Sequence, residues 1–345
     1  MGASVTRMTG LFVALILLSA VAAARTHVVC TAGCKFTGDG GIQAAIDAAA
    51  DGDTILIRPG RYSPRAVREV PYKDFIVRSY ILVENKTLTI VGERGAVLDG
   101  STGRPATALT IHRAAVTLRN LEITGFRWDV QEDEFYDGHG VFVIDGRARI
   151  EDVTIRNFQK MGLTGRGDSA LDVSGLRVLD GHVGLWLHES AYLRLTRSIV
   201  RGNPDGGLSA YDDSVAHISN SVFDANLDDG LYTEHRAAIY ATNSLLLRNK
   251  PMAAHAKDES HIWINYSALF GNAVSSGSEG NARIHLGSAI IDSDPKVDAD
   301  YNVLADSPLK GKGDPDLGVP AGAPSEIGPH WLRPVSRPAQ QAREH

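Results

Sequence analysis

The chain has 345 residues, 35 Lys and Arg against 41 Asp and Glu, a net charge of −6 and two cysteines. A mildly acidic chain without a basic excess excludes the usual electrostatic footprint of a nucleic-acid partner.

At the amino terminus, Arg7 precedes the apolar run Leu11 to Ala20, and Ala22-Ala23-Ala24 stand before Arg25. This pattern predicts a signal peptide over residues 1–24, cleaved on export. The apolar run is too short for the ~20 residues that span a bilayer, so the mature chain is read as having no membrane span, secreted or periplasmic, and monomeric. In an oxidising compartment Cys30 and Cys34 are expected to pair, since a metal site would need two further ligands nearby. The segment Ile42 to Ala49 predicts a short helix with Ile42, Ala45, Ile46 and Ala49 on one side. It leads through Asp51-Gly52-Asp53 into a strand over Thr54-Ile55-Leu56-Ile57 and a Pro59-Gly60 turn, an amino-terminal cap over 30–60.

From there the chain repeats. Asn157, Asp180, Asn203, Asn226, Asn249 and Asn272 keep a step of 23 residues, as do Ser198, Ser221, Ser244 and Ser267. Gly140, Gly162, Gly184, Gly207 and Gly230 follow at 22 or 23. A fixed period of this size marks a solenoid whose repeats bury their faces against one another. Each glycine is followed by period-2 alternation, as in Leu185-Trp186-Leu187-His188, and two more short runs complete the repeat. Three short strands per period predict an all-β chain, a single-stranded parallel β-helix of 22–23-residue coils over 25–332. Its regular coils should occupy 87–292. The asparagines are read as a structural stack at a tight corner, where Asn tolerates the left-handed conformation. Leu185, Leu187, Leu208, Leu231, Ile199, Val222 and Leu245 are expected to point inward. Residues 127–137 form an insert of about ten residues, the kind that projects from one edge of a solenoid. The Pro- and Gly-rich stretch 293–332 predicts an irregular carboxyl-terminal cap, and 333–345 a disordered tail.

The run GIQAAIDAAADGDTILIRPGRY, Gly41 to Tyr62, followed by these coils, resembles the pectin-lyase-like superfamily of right-handed parallel β-helix proteins. The resemblance covers about residues 30 to 330 and implies a secreted protein acting on polysaccharide. Pectate and alginate lyases, mannuronan C5-epimerases, polygalacturonases and pectinesterases share that superfamily, so the resemblance leaves the reaction open. The polygalacturonase order is absent, because Gly138-His139-Gly140 precedes Asp212-Asp213. The Asp-Pro-His motif of the epimerases and the pectinesterase set are also missing.

Stacking places equivalent positions of successive coils about 4.8 Å apart. The outward positions after the glycines read Phe142/Ile144, Thr164/Arg166, Trp186/His188, Ser209/Tyr211, Tyr232/Glu234 and His255/Lys257. Aromatic rings among ionisable groups suit a linear glycan, whose C–H faces lie on rings while its hydroxyls and carboxylates need polar partners. Trp186, Tyr232, His255 and Phe142 are the expected platform. His188 and Tyr211 are the expected proton-transfer pair, flanking one sugar ring. Arg166 or Lys257 would neutralise a substrate carboxylate, and Glu234 completes the catalytic set. These types fit a lyase or C5-epimerase of a uronic-acid glycan, both of which begin by removing the C5 proton. Two other readings stay open: a non-catalytic glycan-binding scaffold, and a glycoside hydrolase using carboxylates drawn from Asp212, Asp213, Glu234 and Asp229. An acidic protein meets an acidic polysaccharide only where positive charge is concentrated or a cation bridges them. Asp205, Asp228 and Asp229 are the candidate ligands for such a cation, Ca²⁺, and no other cofactor is implied.

Overall fold

The computed structural model describes residues 23–131, 135–315 and 327–328. The expected signal peptide and the tail after 333 lie outside the described residues, apart from the last two positions of the former. Among the described residues, strands form three sheets of twelve, nine and eleven members, and coil after coil contributes one strand to each. Nearly all neighbours pair in parallel, as when Leu185, Trp186 and Leu187 face Leu208, Ser209 and Ala210, which in turn face Leu231, Tyr232 and Thr233. The chain is therefore a parallel β-helix, with one main core enclosed by the three sheets.

The glycine column has a steric cause. It sits where successive coils approach so closely that a Cβ on Gly184 would lie 2.4 Å from the carbonyl oxygen of Gly207. A Cβ on Gly207 would meet Gly230 at the same distance. The serine column is a buried ladder: the backbone N–H of Ser198, Ser221 and Ser244 each donates to the hydroxyl one coil later, at 3.1–3.2 Å.

The asparagine column divides. Asn203, Asn226 and Asn249 each donate their Nδ2 to the Oδ1 of the next, ending on Asn272, at 2.9, 3.0 and 3.2 Å. Asn157 and Asp180 do not join this stack. Leu179 pairs with Arg201, so Asp180 aligns with Gly202, one position before Asn203. The coil between them is one residue shorter than the 23-residue step, and that slip moves the two residues onto a neighbouring line. That line holds the left-handed conformation, at Asn157, Asp180, Gly202, Ala225 and Arg248, with φ between 51° and 70°. Gly181 stands where the ladder would continue, and its N–H donates to Asn203 Oδ1 at 3.2 Å.

The amino-terminal cap holds. The helix Gly41–Ala48 buries Ile42, Ala45 and Ile46, with Ala49 buried just beyond it. Lys86 Nζ donates to the carbonyls of Ile46 and Ala49 at 2.8 Å, satisfying groups that a helix end leaves unpaired. Cys30 and Cys34 form the expected disulfide.

Leu185, Leu187, Leu208 and Leu231 point into the main core. Ile199, Val222 and Leu245 do not. Alternation places Val200, Phe223 and Leu246 inward instead, and the first three residues lie on the outer face of the nine-stranded sheet. They are buried there by Tyr301, Leu309 and Ile327. The carboxyl-terminal segment thus folds back along this sheet rather than simply closing the end. Tyr301 Oη donates to Asp224 Oδ2 at 2.6 Å, and Asn220 Nδ2 donates to the carbonyl of Gly328 at 3.1 Å.

Residues between the cap and the regular coils form an antiparallel hairpin, Arg68–Tyr72 with Phe75–Glu84. The second strand continues into the eleven-stranded sheet, so the hairpin tip leans over that sheet's outer face. No repeat announces it, and it decides how much of that face stays open.

Candidate functional site

The outward register of the eleven-stranded sheet is as expected: Phe142, Thr164, Trp186, Ser209, Tyr232 and His255 are consecutive neighbours. Its first two coils are covered. Phe142 and Ile144 are fully buried against Val70 and Val77 of the hairpin, with Tyr72, Phe75 and Tyr136 packed around them. Phe142 is therefore not a sugar platform, because an apolar ring on a sheet face attracts an apolar cover. Thr164 is buried too, its hydroxyl 2.8 Å from Nδ1 of His139. The open stretch runs from Trp186 to Lys257.

Tyr136, from the end of the insert, and the hairpin tip form the wall at its start. Phe75 stacks on Tyr136 with ring centroids 3.9 Å apart, and Tyr136 lies 6.1 Å from Trp186. Behind Tyr136, Asp137 and His139 are fully buried, and burial raises the Asp137 carboxyl to about 6 and lowers the His139 imidazole. The insert that the sequence places at one edge thus supplies part of this wall, and the hairpin, which no repeat announces, supplies the rest.

Arg166 does not present a free cation. It reaches Glu189 at 2.8 Å, with its guanidinium 5.2 Å from the Trp186 ring centroid. Glu189 is a junction: Tyr72 Oη donates to it at 3.0 Å, and Lys73 Nζ and the N–H of Gly167 also bond it. Burial pushes the Glu189 carboxyl up, but the bonds from Arg166, Lys73 and Gly167 outweigh it and bring it down to about 2.

His188 follows Arg166 by one coil and is half-buried. Its Nδ1 lies 3.1 Å from Asp212 Oδ2. Burial, helped by Arg166, lowers its pKa to about 4, so the ring is neutral at pH 7. Tyr211 is stacked directly on it, centroids 4.4 Å apart and planes 16° from parallel. Contact at that distance leaves no space for a sugar between them, so the two do not flank one ring; they offer adjacent edges. Burial raises the Tyr211 phenol. Tyr232 donates its hydroxyl to Glu234 Oε2 at 2.8 Å.

His255 is buried between Asp229 at 2.8 Å and Glu279 at 3.1 Å, so it is committed to structure rather than open to a ligand. Lys257 is three strand steps from His188, about 14 Å, too far to serve the same sugar.

The expected cation ligands do not come together. Asp229 spends both oxygens, on His255 and on the backbone N–H of Met252, and Asp205 lies 3.6 Å from His182. Among the described residues, the one group of three whose ligand atoms lie within 4.8 Å of one another is Glu234, His235 and Asp258.

The sequence offers Asp212 only as a hydrolase carboxylate. In the fold it belongs to a corner column in which the N–H of Glu189 donates to Asp212 and the N–H of His235 donates to Asp258. All four corner residues adopt φ of 59–62°. Their positions, 189, 212, 235 and 258, keep the 23-residue step and are a signal in the sequence.

A family model described as a right handed β-helix region matches residues 107–273. The chain is a right-handed parallel β-helix protein. The crystal structure of pectate lyase Pel9A is similar to this β-helix with a TM-score of 0.56 at 14% identity, over 88% of this chain and 95% of that one. An alginate lyase from Paenibacillus sp. str. FPU-7 gives 0.43 at 12% identity, over 76% and 99%. The A-module of the Azotobacter vinelandii mannuronan C-5 epimerase AlgE6 gives 0.37 at 13% identity, over 74% and 95%. At these identities the likeness is one of fold. No curated protein sequence matches the β-helix chain, and no described helix is long and apolar enough to cross a membrane.

Proposed function

We propose that the protein acts on an acidic polysaccharide as a lyase or C5-epimerase, in the open stretch of the eleven-stranded sheet beside Tyr136 and the hairpin tip. The observation that carries this reading is His188, neutral, hydrogen-bonded through Nδ1 to Asp212 and stacked on Tyr211. With Nδ1–H held by a carboxylate, the lone pair of Nε2 is the proton acceptor. In the proposed step Nε2 takes the C5 proton of a uronate and the electron pair is left delocalised into the carboxyl group. Tyr211, a protonated phenol on the same side of the sugar as His188, then gives its proton to the departing O4 as the C4–O4 bond breaks; in an epimerase the opposite face of C5 takes its proton from solvent instead. Arg166 is the cation one coil from His188, and it reaches a substrate carboxylate by sharing or releasing Glu189. Trp186 and Tyr232 support neighbouring sugars. Export through residues 1–24 is part of the same reading, as is the division into cap, coils and carboxyl-terminal segment.

The neutralisation of Arg166 by Glu189 favours a second reading, a glycan-binding β-helix without turnover. Incubation with alginate, polygalacturonate and polyglucuronate separates the two. Ultraviolet absorbance of an unsaturated product, or solvent hydrogen appearing at C5, supports the enzyme. Retention of a polymer with neither signal supports the binder.

A further inference from the structure

A second row of aromatic side chains runs down the outer face of the twelve-stranded sheet, on another flank of the β-helix. His217, Tyr240, Trp263 and His285 occupy one register position on successive strands. Their rings are parallel to within 10°, with centroids 4.8, 4.6 and 4.9 Å apart. Tyr192 tilts over the His217 end at 5.7 Å. The rings are not core residues: Tyr192 and Tyr240 are 41% and 38% exposed.

Face-to-face stacking hides the flat faces that a sugar's C–H groups would choose and leaves a row of ring edges outward. The edge is the positive part of an aromatic quadrupole, and Tyr, Trp and His edges also carry hydrogen-bond donors. Such a row suits oxygen-rich, anionic groups. The charges on the same face agree. Arg119, Arg147, Arg149, Arg194 and Arg283 point outward with Glu151 and Asp172. Arg119 and Arg149 pair with Glu151 and Arg194 with Asp172, so the arginines outnumber the acids on this face of a chain whose net charge is −6. Two cavities of about 380 and 500 Å³ lie end to end along this sheet, and Arg194 lines both. The margin of the site around His188 is by contrast rich in acids, with Glu189, Asp212 and Asp258 in the corner column and Glu234 and Glu279 in the strand position beside it.

We infer that the twelve-stranded sheet is a second, non-catalytic binding surface for a linear anionic polysaccharide, running along the β-helix axis across Arg149, Arg194, His217, Tyr240 and Trp263. It holds a polymer by carboxylate and hydroxyl oxygens, whereas the acid-margined groove around His188 contributes little long-range attraction.

The test is affinity electrophoresis of the full chain in native gels containing polygalacturonate, alginate or neutral dextran. The acidic polymers are expected to retard the protein and dextran is not. The double variant Arg194→Ala/Trp263→Ala, and separately Arg149→Ser, are expected to weaken retardation at least about fivefold and twofold respectively, with unchanged unfolding midpoints. His188→Ala is expected to be retarded like the parent, which separates this surface from the proposed active site. No retardation of the parent, equal retardation by dextran, or undiminished retardation of both variants would overturn the inference. So would self-association abolished by Trp263→Ala, which would make the face an interface between two copies.

Discussion

The imidazole of His188 lies flat against the phenol of Tyr211, 4.4 Å between centroids, while its Nδ1 is held by Asp212. One face is covered by Tyr211 and the ring packs at 4.3 Å beside Trp186, so His188 loses hydration on both flanks. That desolvation, with the Arg166 charge, is why its pKa falls to about 4.

The direction has a consequence for stability. Against a usual value of 6.5, the folded state binds fewer protons at His188 than the unfolded chain between pH 6.5 and about 4. His188 therefore leaves stability intact above pH 6.5 and reduces it as pH falls toward 4. Two-dimensional NMR of the imidazole should show a midpoint near 4, moving toward 6.5 in Tyr211→Ala, where one ring face regains water. A midpoint near 6.5 in the parent contradicts the desolvated stack.

Glu189 acts in the opposite sense. Its folded pKa of about 2 lies below the ordinary 4.5, so its contribution is present above pH 4.5 and is lost as pH falls toward 2. Glu189→Gln should release the hairpin tip, since Tyr72, Lys73 and Arg166 all converge on that carboxylate. Hydrogen exchange of the amides of 68–79 should quicken in the variant while that of the ladder coils stays unchanged. Equal protection in both proteins would mean that the tip is held by its apolar contacts alone.

The asparagine ladder separates two residues that the sequence makes look equivalent. Asn226 donates to Asn249 and to the carbonyl of Val200 and accepts from Asn203, all in the buried interior. Asn226→Ala leaves several of these groups unpaired, each costing roughly 1–3 kcal/mol. Asn157 sits on the left-handed line, where Ala225 already shows that alanine is accommodated. Urea unfolding should find Asn157→Ala the milder change, and equal losses would restore the single six-residue column.

Tyr301 tests the folded-back carboxyl-terminal segment. Its hydroxyl is the partner of Asp224, a carboxylate only 2% exposed that is also bound by Arg248. Tyr301→Phe should cost about 1.5–3 kcal/mol, the range for a hydrogen bond to a charged group. An unchanged unfolding curve would detach the segment from the nine-stranded sheet.

The sequence showed most clearly what the coils repeat. Gly184, Ser221 and Leu208 could be placed because each recurs where stacked backbones demand it. Alternation also showed that Val222 and Val200 face opposite ways only after a register was chosen, and it cannot say what covers an outer face. For that reason Ile199, Val222 and Leu245 looked like core, and Phe142 looked open. The hairpin from Arg68 has no repeated counterpart, so nothing in the period pointed to it. His217, Tyr240 and Trp263 also keep the 23-residue step of the serines, so the exposed aromatic row is itself legible in the sequence.

Proton removal at C5 by His188 is tested most directly by incubating the protein with polyuronates in deuterium oxide and following the C5 position by NMR. The account predicts deuterium at C5, or loss of that hydrogen into an unsaturated product, for the parent protein. It predicts neither for His188→Ala, which should keep its fold and its retention of the polymer. Untouched C5 hydrogens with the parent on alginate, polygalacturonate and polyglucuronate alike, or full exchange with His188→Ala, would contradict it.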